Sequence, residues 1–221
     1  MPVSSDHPHA GQPVLTDGVP LAAANGVAIL LHGRGAGADD VLRLARHFPR
    51  EGVCYLAPQA AGQEWYPQRF LAPLTMNEPR LSSALRLVGE LIARATSAGI
   101  AREKIIVGGF SQGACLALET AVRSGGRLGG VFALAGAVIG PPGAARPLDR
   151  PLDGTPVFLG CGDLDVHIPL ASVHETARVL TALGARVEEQ IYPGLGHVIV
   201  GDEIMRAAEI IQRVSRRGAA G

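Results

Sequence analysis

One stretch near the middle of the chain, residues 104–118, constrains the fold more than any other. Its apolar, β-branched run at 105–107 predicts a buried strand, because an apolar run without period-2 alternation is typical of strands covered on both faces. The run breaks at Gly108 and Gly109, and the small-residue segment 112–120 then predicts a helix. The chain therefore has to pass from a strand to a helix through one sharp turn.

The turn itself, residues 109–113, has the pattern Gly-x-Ser-x-Gly with Ser111 at its centre. A serine on so sharp a turn has a strained backbone, and the residues two positions away have to be small so that the strand and the helix can approach. The strain would hold the hydroxyl at the carboxyl end of the strand, beside free N–H groups of a helix N-terminus that suit a developing anion. Because the chain contains 29 glycines, the pattern alone also fits a Gly-rich turn with a capping serine.

Strand-like and helix-like segments alternate along the rest of the chain, which predicts an α/β fold with a mainly parallel central sheet and helices on both faces. Further strands are expected at residues 27–32, 52–58, 131–134, 156–162 and 186–192, and further helices at 39–46, 81–97, 170–183 and 203–214. Segment 140–154 is rich in Pro and Gly without a helical period, so no large cap domain is expected. A hydrophobic content of 47% in 221 residues fits a single domain over residues 1–221.

The N-terminal segment is polar and rich in proline. We predict that residues 1–13 form a loose arm, and that His7 and His9 in it are not metal ligands. Residues 14–24 contain Asp17-Gly18 between short extended pieces and predict a marginal edge hairpin. The start of the chain lacks the basic residues and apolar core of a signal peptide.

Charge, hydropathy and cysteine content narrow the class of protein. The formal net charge is +0, so no general field attracts nucleic acid, and no nucleic-acid partner is expected. The aliphatic run at 27–31 is too short to span a bilayer, so we expect no stable membrane insertion. Cys54, Cys115 and Cys161 lie in or beside apolar segments without metal-ligand spacing, which indicates buried thiols, a reducing compartment and no metal site. These features are typical of a cytoplasmic enzyme or binding protein.

Reactive side chains follow the predicted strands at their carboxyl ends, where ligands bind in sheets of this kind. Ser111, Asp165 and His197 occur in the chain order of the α/β-hydrolase triad. A serine needs a base to become a nucleophile, and His197 could take its proton and later return it to the leaving group. Asp165 would fix the tautomer of His197 and stabilise the imidazolium.

Alternatives exist for both partners of the serine. Asp163 lies two residues from Asp165 and could be the acid instead, although we prefer Asp165. His167 could be the base, but it lies on the loop of the acid, whereas His197 follows the last strand in a Gly-rich turn. His32 precedes the serine in sequence and is interpreted as a residue that braces its loop.

The Gly-rich loop at residues 33–38 follows the first strand and has two interpretations. A phosphate cradle would need Gly-Lys-Ser/Thr or Gly-x-Gly-x-x-Gly, and neither is present. The alternative is a loop that donates an oxyanion-hole N–H, here from Arg34, together with the N–H of Gln112. The side chain of Arg34 could bind a substrate carboxylate or pair with a local acid.

The long connection at residues 59–80 holds the only tryptophan of the chain. Long loops rich in large apolar side chains either line a site or cover the edge of a core. We favour a pocket wall, with Trp65, Tyr66 and Phe70 as substrate-binding residues. Exposed apolar residues between 65 and 76 could also form a homodimer contact.

Several short motifs occur together in the chain. They are Leu-His-Gly-Arg-Gly-Ala at 31–36, Ala-Pro at 57–58, Trp-Tyr-Pro at 65–67, Gly-Phe-Ser-Gln-Gly-Ala at 109–114, Gly-Asp-Leu-Asp at 162–165 with Ile-Pro at 168–169, and Gly-His at 196–197. With them the chain resembles the carboxylesterase, phospholipase and acyl-protein thioesterase branch of the α/β-hydrolases, from about residue 27 to residue 214. The resemblance implies the α/β-hydrolase fold, a triad of Ser111, Asp165 and His197, oxyanion donors at Arg34 and Gln112, and ester hydrolysis without a cofactor.

One departure from this family bears on the substrate. The thioesterase members usually carry Gly-Leu-Gly-Asp where this chain has Gly-Arg-Gly-Ala at residues 33–36, and the Trp-Tyr-Pro stretch resembles bacterial esterase members. We therefore expect a serine carboxylesterase that cleaves short- to medium-chain carboxylic esters of small molecules through an acyl-enzyme intermediate. The alternatives are an acyl thioesterase or lysophospholipase with the same triad, and a non-catalytic binding protein on a hydrolase scaffold.

Overall fold

Seven strands form one sheet in the computed structural model, which describes residues 6–144, 146 and 149–216. They are β1 Val14–Gly18, β2 Gly26–Leu31, β3 Val53–Pro58, β4 Ile105–Phe110, β5 Gly130–Leu134, β6 Pro156–Gly162 and β7 Arg186–Tyr192. Their order across the sheet is β1-β3-β2-β4-β5-β6-β7. β1 is antiparallel to β3 and all other neighbours are parallel, which confirms the predicted mainly parallel sheet.

Helices cover both faces of this sheet, as predicted. They are α1 Ala38–Ala45, α2 Arg80–Ser97, α3 Gln112–Ser124, α4 Leu170–Ala182 and α5 Gly201–Ser215. Successive side chains of a strand point to opposite faces, so Val27 and Ile29 of β2 pack in the core with α2, α3 and α4, whereas Ala28 and Leu30 pack with α1 and α5. The central strands are therefore buried on both faces, and this explains their continuous apolar runs.

The N-terminal segment differs from the predicted loose arm. His9 is 0% exposed, its backbone N–H donates to Ser83 Oγ at 3.0 Å, and His7 Nδ1 lies 2.6 Å from the same oxygen. The prediction is wrong for the described part of the arm because these contacts fix it on α2. Residues 1–5 of the predicted arm lie outside the described residues.

The predicted edge hairpin at residues 14–24 is also wrong. β1 pairs antiparallel with β3, from Val14 opposite Pro58 to Gly18 opposite Cys54. Gly18 has a φ of +79°, and a Cβ there would lie 2.2 Å from the Val53 carbonyl oxygen. Asp17-Gly18 is therefore the end of an edge strand, whose partner lies about 40 residues away in sequence.

Two further features shape the carboxyl edge of the sheet. β4 continues through Gly108 to Phe110, beyond the predicted break, because these residues pair with Phe132 to Leu134 of β5. Gly108 is needed within the strand since a Cβ there would lie 2.3 Å from the Phe132 ring. The described residues of segment 140–154 contain no helix, in agreement with the absence of a large cap. Within the described ranges, no helix is both long and apolar enough to cross a membrane.

Candidate active site

Ser111 lies between β4 and α3 in a strained conformation, with φ 56° and ψ −121°. A Cβ at Gly109 or Gly113 would lie 2.3 or 2.1 Å from the Leu31 carbonyl oxygen. The two glycines are therefore needed because the end of the neighbouring strand β2 passes directly against the turn. This close approach fixes Ser111 at the carboxyl edge of the sheet.

Three side chains that are distant in sequence form one hydrogen-bonded chain. Ser111 Oγ lies 2.8 Å from His197 Nε2, and His197 Nδ1 lies 2.7 Å from Asp165 Oδ2. With the ring proton on Nδ1, His197 donates to the carboxylate and accepts from the serine hydroxyl. The geometry is that of a serine nucleophile, a general base and an orienting acid.

The carboxylate of Asp165 is buried, with its side chain 0% exposed. Its second oxygen, Oδ1, accepts the backbone N–H groups of His167 at 2.8 Å and Ile168 at 3.0 Å. Burial alone would raise the pKa of Asp165, but the hydrogen bonds from His197 and from these two N–H groups outweigh burial and lower the pKa below its ordinary value. Asp165 is therefore ionised at neutral pH and holds the imidazole.

The alternative acid and the alternative base occupy other positions. Asp163 Oδ1 accepts the Gly194 N–H at 2.7 Å, so Asp163 ties two loops together and does not contact the imidazole. His167 lies edge-on to His197, with ring centroids 4.7 Å apart, and Phe110 lies against the same ring at 4.9 Å. No signal in the sequence points to the contacts that His167 and Phe110 make with His197.

The two expected oxyanion donors lie on the cavity wall. The backbone N–H groups of Arg34 and Gln112 have no acceptor among the hydrogen bonds of the described residues. Gln112 is the first residue of α3, where N–H groups have no intrahelical partner. The loop that carries Arg34 is fixed by the Gly35 N–H, which donates to the Gln63 carbonyl at 2.8 Å. Both N–H groups are thus free to stabilise an oxyanion.

His32 braces the loop beneath these donors, as predicted. Its Nδ1 donates to the Gly33 carbonyl at 2.8 Å, and its Nε2 accepts the Ala60 N–H at 3.0 Å. Burial lowers the pKa of His32, which favours the neutral ring that this pair of bonds requires. His32 is thereby engaged on both sides and is not available as a base.

The Arg34 side chain pairs with a local acid. Nη1 lies 2.5 Å from Glu64 Oε2, and both terminal nitrogens also donate to backbone carbonyls of residues 66–68. The guanidinium therefore joins the Gly-rich loop at residues 33–38 to the segment that follows β3. Of the two roles considered for this side chain, the structure shows the pairing with an acid.

A cavity of about 490 Å³ opens at Ser111. Its lining consists of Gly33, Arg34, Ala36, Tyr66, Pro67, Gln68, Arg69, Phe70, Phe110, Ser111, Gln112, Cys115, His167, Ile168 and His197. Tyr66 and Phe70 are on the cavity wall, as expected for pocket residues. Most of the wall residues outside the motifs, including Gln68, Arg69 and Cys115, have no distinguishing signal in the sequence.

The expectation that Trp65 binds substrate is wrong. Its side chain is 0% exposed and does not line the cavity. The indole Nε1 donates to the His32 carbonyl at 2.8 Å, and the Trp65 backbone N–H donates to Gln112 Oε1 at 2.9 Å. Trp65 therefore supports the Gly-rich loop at residues 33–38 and the start of α3 from behind.

The three cysteines are buried and unpaired, as predicted. Burial raises the pKa of Cys115 to about 11, so the thiol beside the cavity stays protonated at neutral pH. Among the residues that the structure describes, no group of three or more His, Cys, Asp or Glu side chains could hold a metal ion.

The chain is similar to known proteins over most of its length. The sequence model of the family described as Phospholipase/Carboxylesterase matches residues 19–215. A crystal structure of a phospholipase/carboxylesterase from Dyadobacter fermentans superposes with a TM-score of 0.86 and 38% identity, covering 91% of this chain and 97% of that chain. The crystal structure of esterase PE8 gives a TM-score of 0.74 and 28% identity, covering 92% of this chain and 98% of that chain.

Curated relatives include acyl-protein thioesterases. Acyl-protein thioesterase 1 of Saccharomyces cerevisiae is 31% identical over 134 residues, which are 59% of this chain and 59% of the relative. Acyl-protein thioesterase 1 of Gibberella zeae is 32% identical over 117 residues, 52% of this chain and 49% of the relative. The similar region thus spans about half to three fifths of these two relatives' length.

Proposed function

The chain belongs to the phospholipase/carboxylesterase family of α/β-hydrolases and is a hydrolase of the carboxylesterase/thioesterase type; on this premise, we propose that it is a serine carboxylesterase acting on short- to medium-chain carboxylic esters. The observation that carries the proposal is the hydrogen-bonded chain from Ser111 through His197 to Asp165 on the wall of a cavity. The fold alone would not support it, because the same fold can carry other functions.

The reaction proceeds through an acyl-enzyme. Ser111 Oγ attacks the ester carbonyl carbon while His197 Nε2 takes the hydroxyl proton. The oxyanion of the tetrahedral intermediate accepts the backbone N–H groups of Gln112 and Arg34, each worth about 3 kcal/mol in the transition state. The C–O bond of the ester then breaks, and His197 returns the proton to the alcohol that leaves.

The second half of the reaction repeats these steps with water. Water attacks the acyl carbonyl, His197 takes its proton, and the acid leaves as the proton returns to Ser111 Oγ. Asp165 stays ionised throughout, since its lowered pKa favours the carboxylate, and it stabilises the imidazolium in both halves. The apolar side chains of Phe70, Phe110 and Ile168 suit a hydrocarbon acyl group.

An acyl thioesterase is the second candidate. The curated relatives named as acyl-protein thioesterases favour it, and the same serine, base and oxyanion donors would act on a thioester carbonyl. A matched series of oxygen and sulfur esters of one acyl group, from acetyl to dodecanoyl, separates the two candidates. A fall in kcat/KM beyond about six carbons with no preference for sulfur esters supports the esterase. A steady rise with acyl length or a clear preference for sulfur esters supports the thioesterase.

The serine is tested by substitution and by labelling. Ser111→Ala is expected to lower kcat for 4-nitrophenyl butyrate by roughly 10⁴-fold or more and to abolish labelling by a fluorophosphonate. Ser82→Ala is the matched control, because Ser82 is exposed on α2 and is not part of the cavity lining. Undiminished activity in a folded Ser111→Ala variant would reject the proposed nucleophile. No labelling of the unmodified protein would favour a non-catalytic binding protein.

A further inference from the structure

The charged side chains around the cavity have one sign. The described lining contains Arg34 and Arg69 and no Asp or Glu. The Asp165 carboxylate lies behind His197 with its side chain 0% exposed, so a ligand in the cavity does not contact it. A ligand that enters the cavity therefore meets cationic groups but no exposed carboxylate on its wall.

Arg34 does not account for a ligand by itself, because its guanidinium is occupied. It pairs with Glu64 and donates to the carbonyls of Tyr66, Pro67 and Gln68 at 2.7–3.0 Å. The same carboxylate also lies 3.9 Å from Arg80. Glu64 is thus shared between two arginines, and the Arg34 side chain serves to hold the loop.

Arg69 lies on the same wall and is exposed. Its guanidinium has no hydrogen-bond acceptor and no ion-pair partner within the part of the chain that the structure describes. Exposed arginines with a carboxylate in reach do pair in this protein, as Arg50 does with Asp17 and Arg206 with Glu188. None of the carboxylates that the structure describes is paired with Arg69.

The backbone that carries Arg69 is held in place. Its carbonyl accepts the Ala72 N–H at 3.0 Å, and the preceding Gln68 N–H donates to the buried Asn77 Oδ1 at 2.8 Å. The carbonyl of the following residue, Phe70, accepts the Gly140 N–H at 2.7 Å. A free cation therefore projects from a fixed segment at the wall of the cavity, which lowers the entropy cost of binding through it.

From this arrangement we infer that Arg69 binds a carboxylate of the substrate, and that the preferred substrates are esters that carry a free carboxylate elsewhere in the molecule. The inference rests on the proposed esterase function and assigns its substrate class. A guanidinium matches a carboxylate with two parallel hydrogen bonds, and it does so better than an ammonium group. Tyr66 and Phe70 line the same cavity as Arg69 and Ser111, so their uncharged rings suit the carbon chain that joins the carboxylate to the ester group.

The test compares pairs of esters that differ in charge. Monoethyl adipate against ethyl hexanoate places the charge on the acyl side, and 3-carboxyphenyl acetate against 3-carbamoylphenyl acetate places it on the alcohol side. The measured quantity is the ratio of kcat/KM for the anionic ester to that for the neutral ester. In the unmodified protein at low salt, this ratio exceeds one for at least one pair, and it falls as salt screens the charges.

Arg69→Met is expected to lower that ratio by roughly tenfold to a hundredfold, mainly through KM, because a charge-assisted hydrogen bond is lost from both the ground state and the transition state. Arg69→Lys is expected to restore part of the ratio, since it returns the charge without the planar fork. Arg86→Met is the matched control: Arg86 is exposed on α2, lies outside the cavity and should leave every rate unchanged.

The outcomes separate this inference from the proposed function. The role of Arg69 would be overturned if the neutral esters are hydrolysed and neither anionic ester is preferred, or if Arg69→Met leaves a preference unchanged. The proposed esterase function would still be supported in that case. Failure to hydrolyse any of the four esters would overturn the esterase and this inference with it.

Discussion

The Glu203→Gln variant is expected to gain stability relative to the unmodified chain as the pH rises from acid to alkaline values. Glu203 lies in the first turn of α5 and is 1% exposed. Its Oε2 accepts the Val200 N–H at 2.9 Å, whereas its Oε1 is buried without a hydrogen-bond partner among the described residues. A Cβ at Gly160 would lie 2.4 Å from Oε1, so β6 leaves no room for the carboxyl to move toward it.

The magnitude follows from the pKa of Glu203. Burial raises that pKa from 4.5 to about 7, with Asp202 and Asp165 adding to the effect and the hydrogen bond from Val200 opposing it. Below about pH 4.5 the carboxyl is protonated in the folded and the unfolded chain, so its contribution to stability is complete. As pH rises toward 7 the unfolded chain releases the proton first, and the free energy of unfolding falls by up to about 3 kcal/mol. Above the folded pKa this loss is complete.

The amide of the Glu203→Gln variant carries no proton to lose, and its side-chain oxygen can still accept the Val200 N–H. The assay is urea unfolding of both proteins from about pH 4.5 to about pH 8.5, with the difference in free energy of unfolding plotted against pH. The difference is expected to rise in favour of Glu203→Gln by about 2–3 kcal/mol across this range. Taking the difference cancels the other titrating groups.

Glu209→Gln is the matched control, because Glu209 is an exposed residue of the same helix. Its difference from the unmodified protein is expected to be flat across the same pH range. A flat difference for Glu203→Gln as well would refute the argument that Glu203 is a buried acid held in its neutral form.

Three further substitutions test the scaffold and the site. Gly113→Ala places a Cβ 2.1 Å from the Leu31 carbonyl oxygen, so it should lower the free energy of unfolding by about 3 kcal/mol and Tm by roughly 10 °C. The control Gly89→Ala, where the new Cβ has no atom within 4 Å, should not lower Tm, and equal Tm values for the two variants would contradict the close approach. Asp165→Asn should lower kcat by roughly 10³–10⁴-fold with little change in KM, because the wrong imidazole tautomer of His197 is favoured. An undiminished kcat in steady-state kinetics would exclude Asp165 as the acid. His9→Ala should lower the free energy of unfolding in urea by about 3 kcal/mol, because it leaves the Trp65 carbonyl and the Ala61 N–H without their partner. An unchanged free energy of unfolding would support the predicted loose arm.

The elements that can be predicted well from the sequence are those whose requirements are local. The turn at residues 109–113 needs a serine between two small residues, and the steric reason lies within a few residues of chain and one neighbouring strand. The continuous apolar runs of β2 and β4 directly indicate strands that are buried on both faces. The strands of the parallel sheet then bring their carboxyl ends to one edge, so the positions of Ser111, Asp165 and His197 after three of these strands are enough to place them at that edge.

The elements for which the sequence prediction is wrong depend on partners far away in the chain. The interpretation of β1 as half of a local hairpin fails because its hydrogen bonds go to β3. The expectation that Trp65 lines the pocket fails because a large aromatic residue in a long loop is as suited to a support behind a wall as to the wall itself. The contacts with His32 and Gln112 place Trp65 behind the wall, and these two residues lie in other segments of the chain, so the sequence of the loop alone does not predict the contacts.

The support behind the cavity wall explains the fixed N-terminal segment. The consecutive N–H groups of Ala60 and Ala61 donate to His32 Nε2 and His9 Nδ1, both at 3.0 Å. The two imidazoles lie beside the Trp65 indole with ring centroids 4.9 and 5.6 Å away, and His9 Nε2 donates to the Trp65 carbonyl at 2.9 Å. Each ring must be neutral to accept, and burial lowers the pKa of both. Because the Trp65 N–H in turn donates to Gln112, a histidine near the start of the chain helps to fix a residue of the cavity wall.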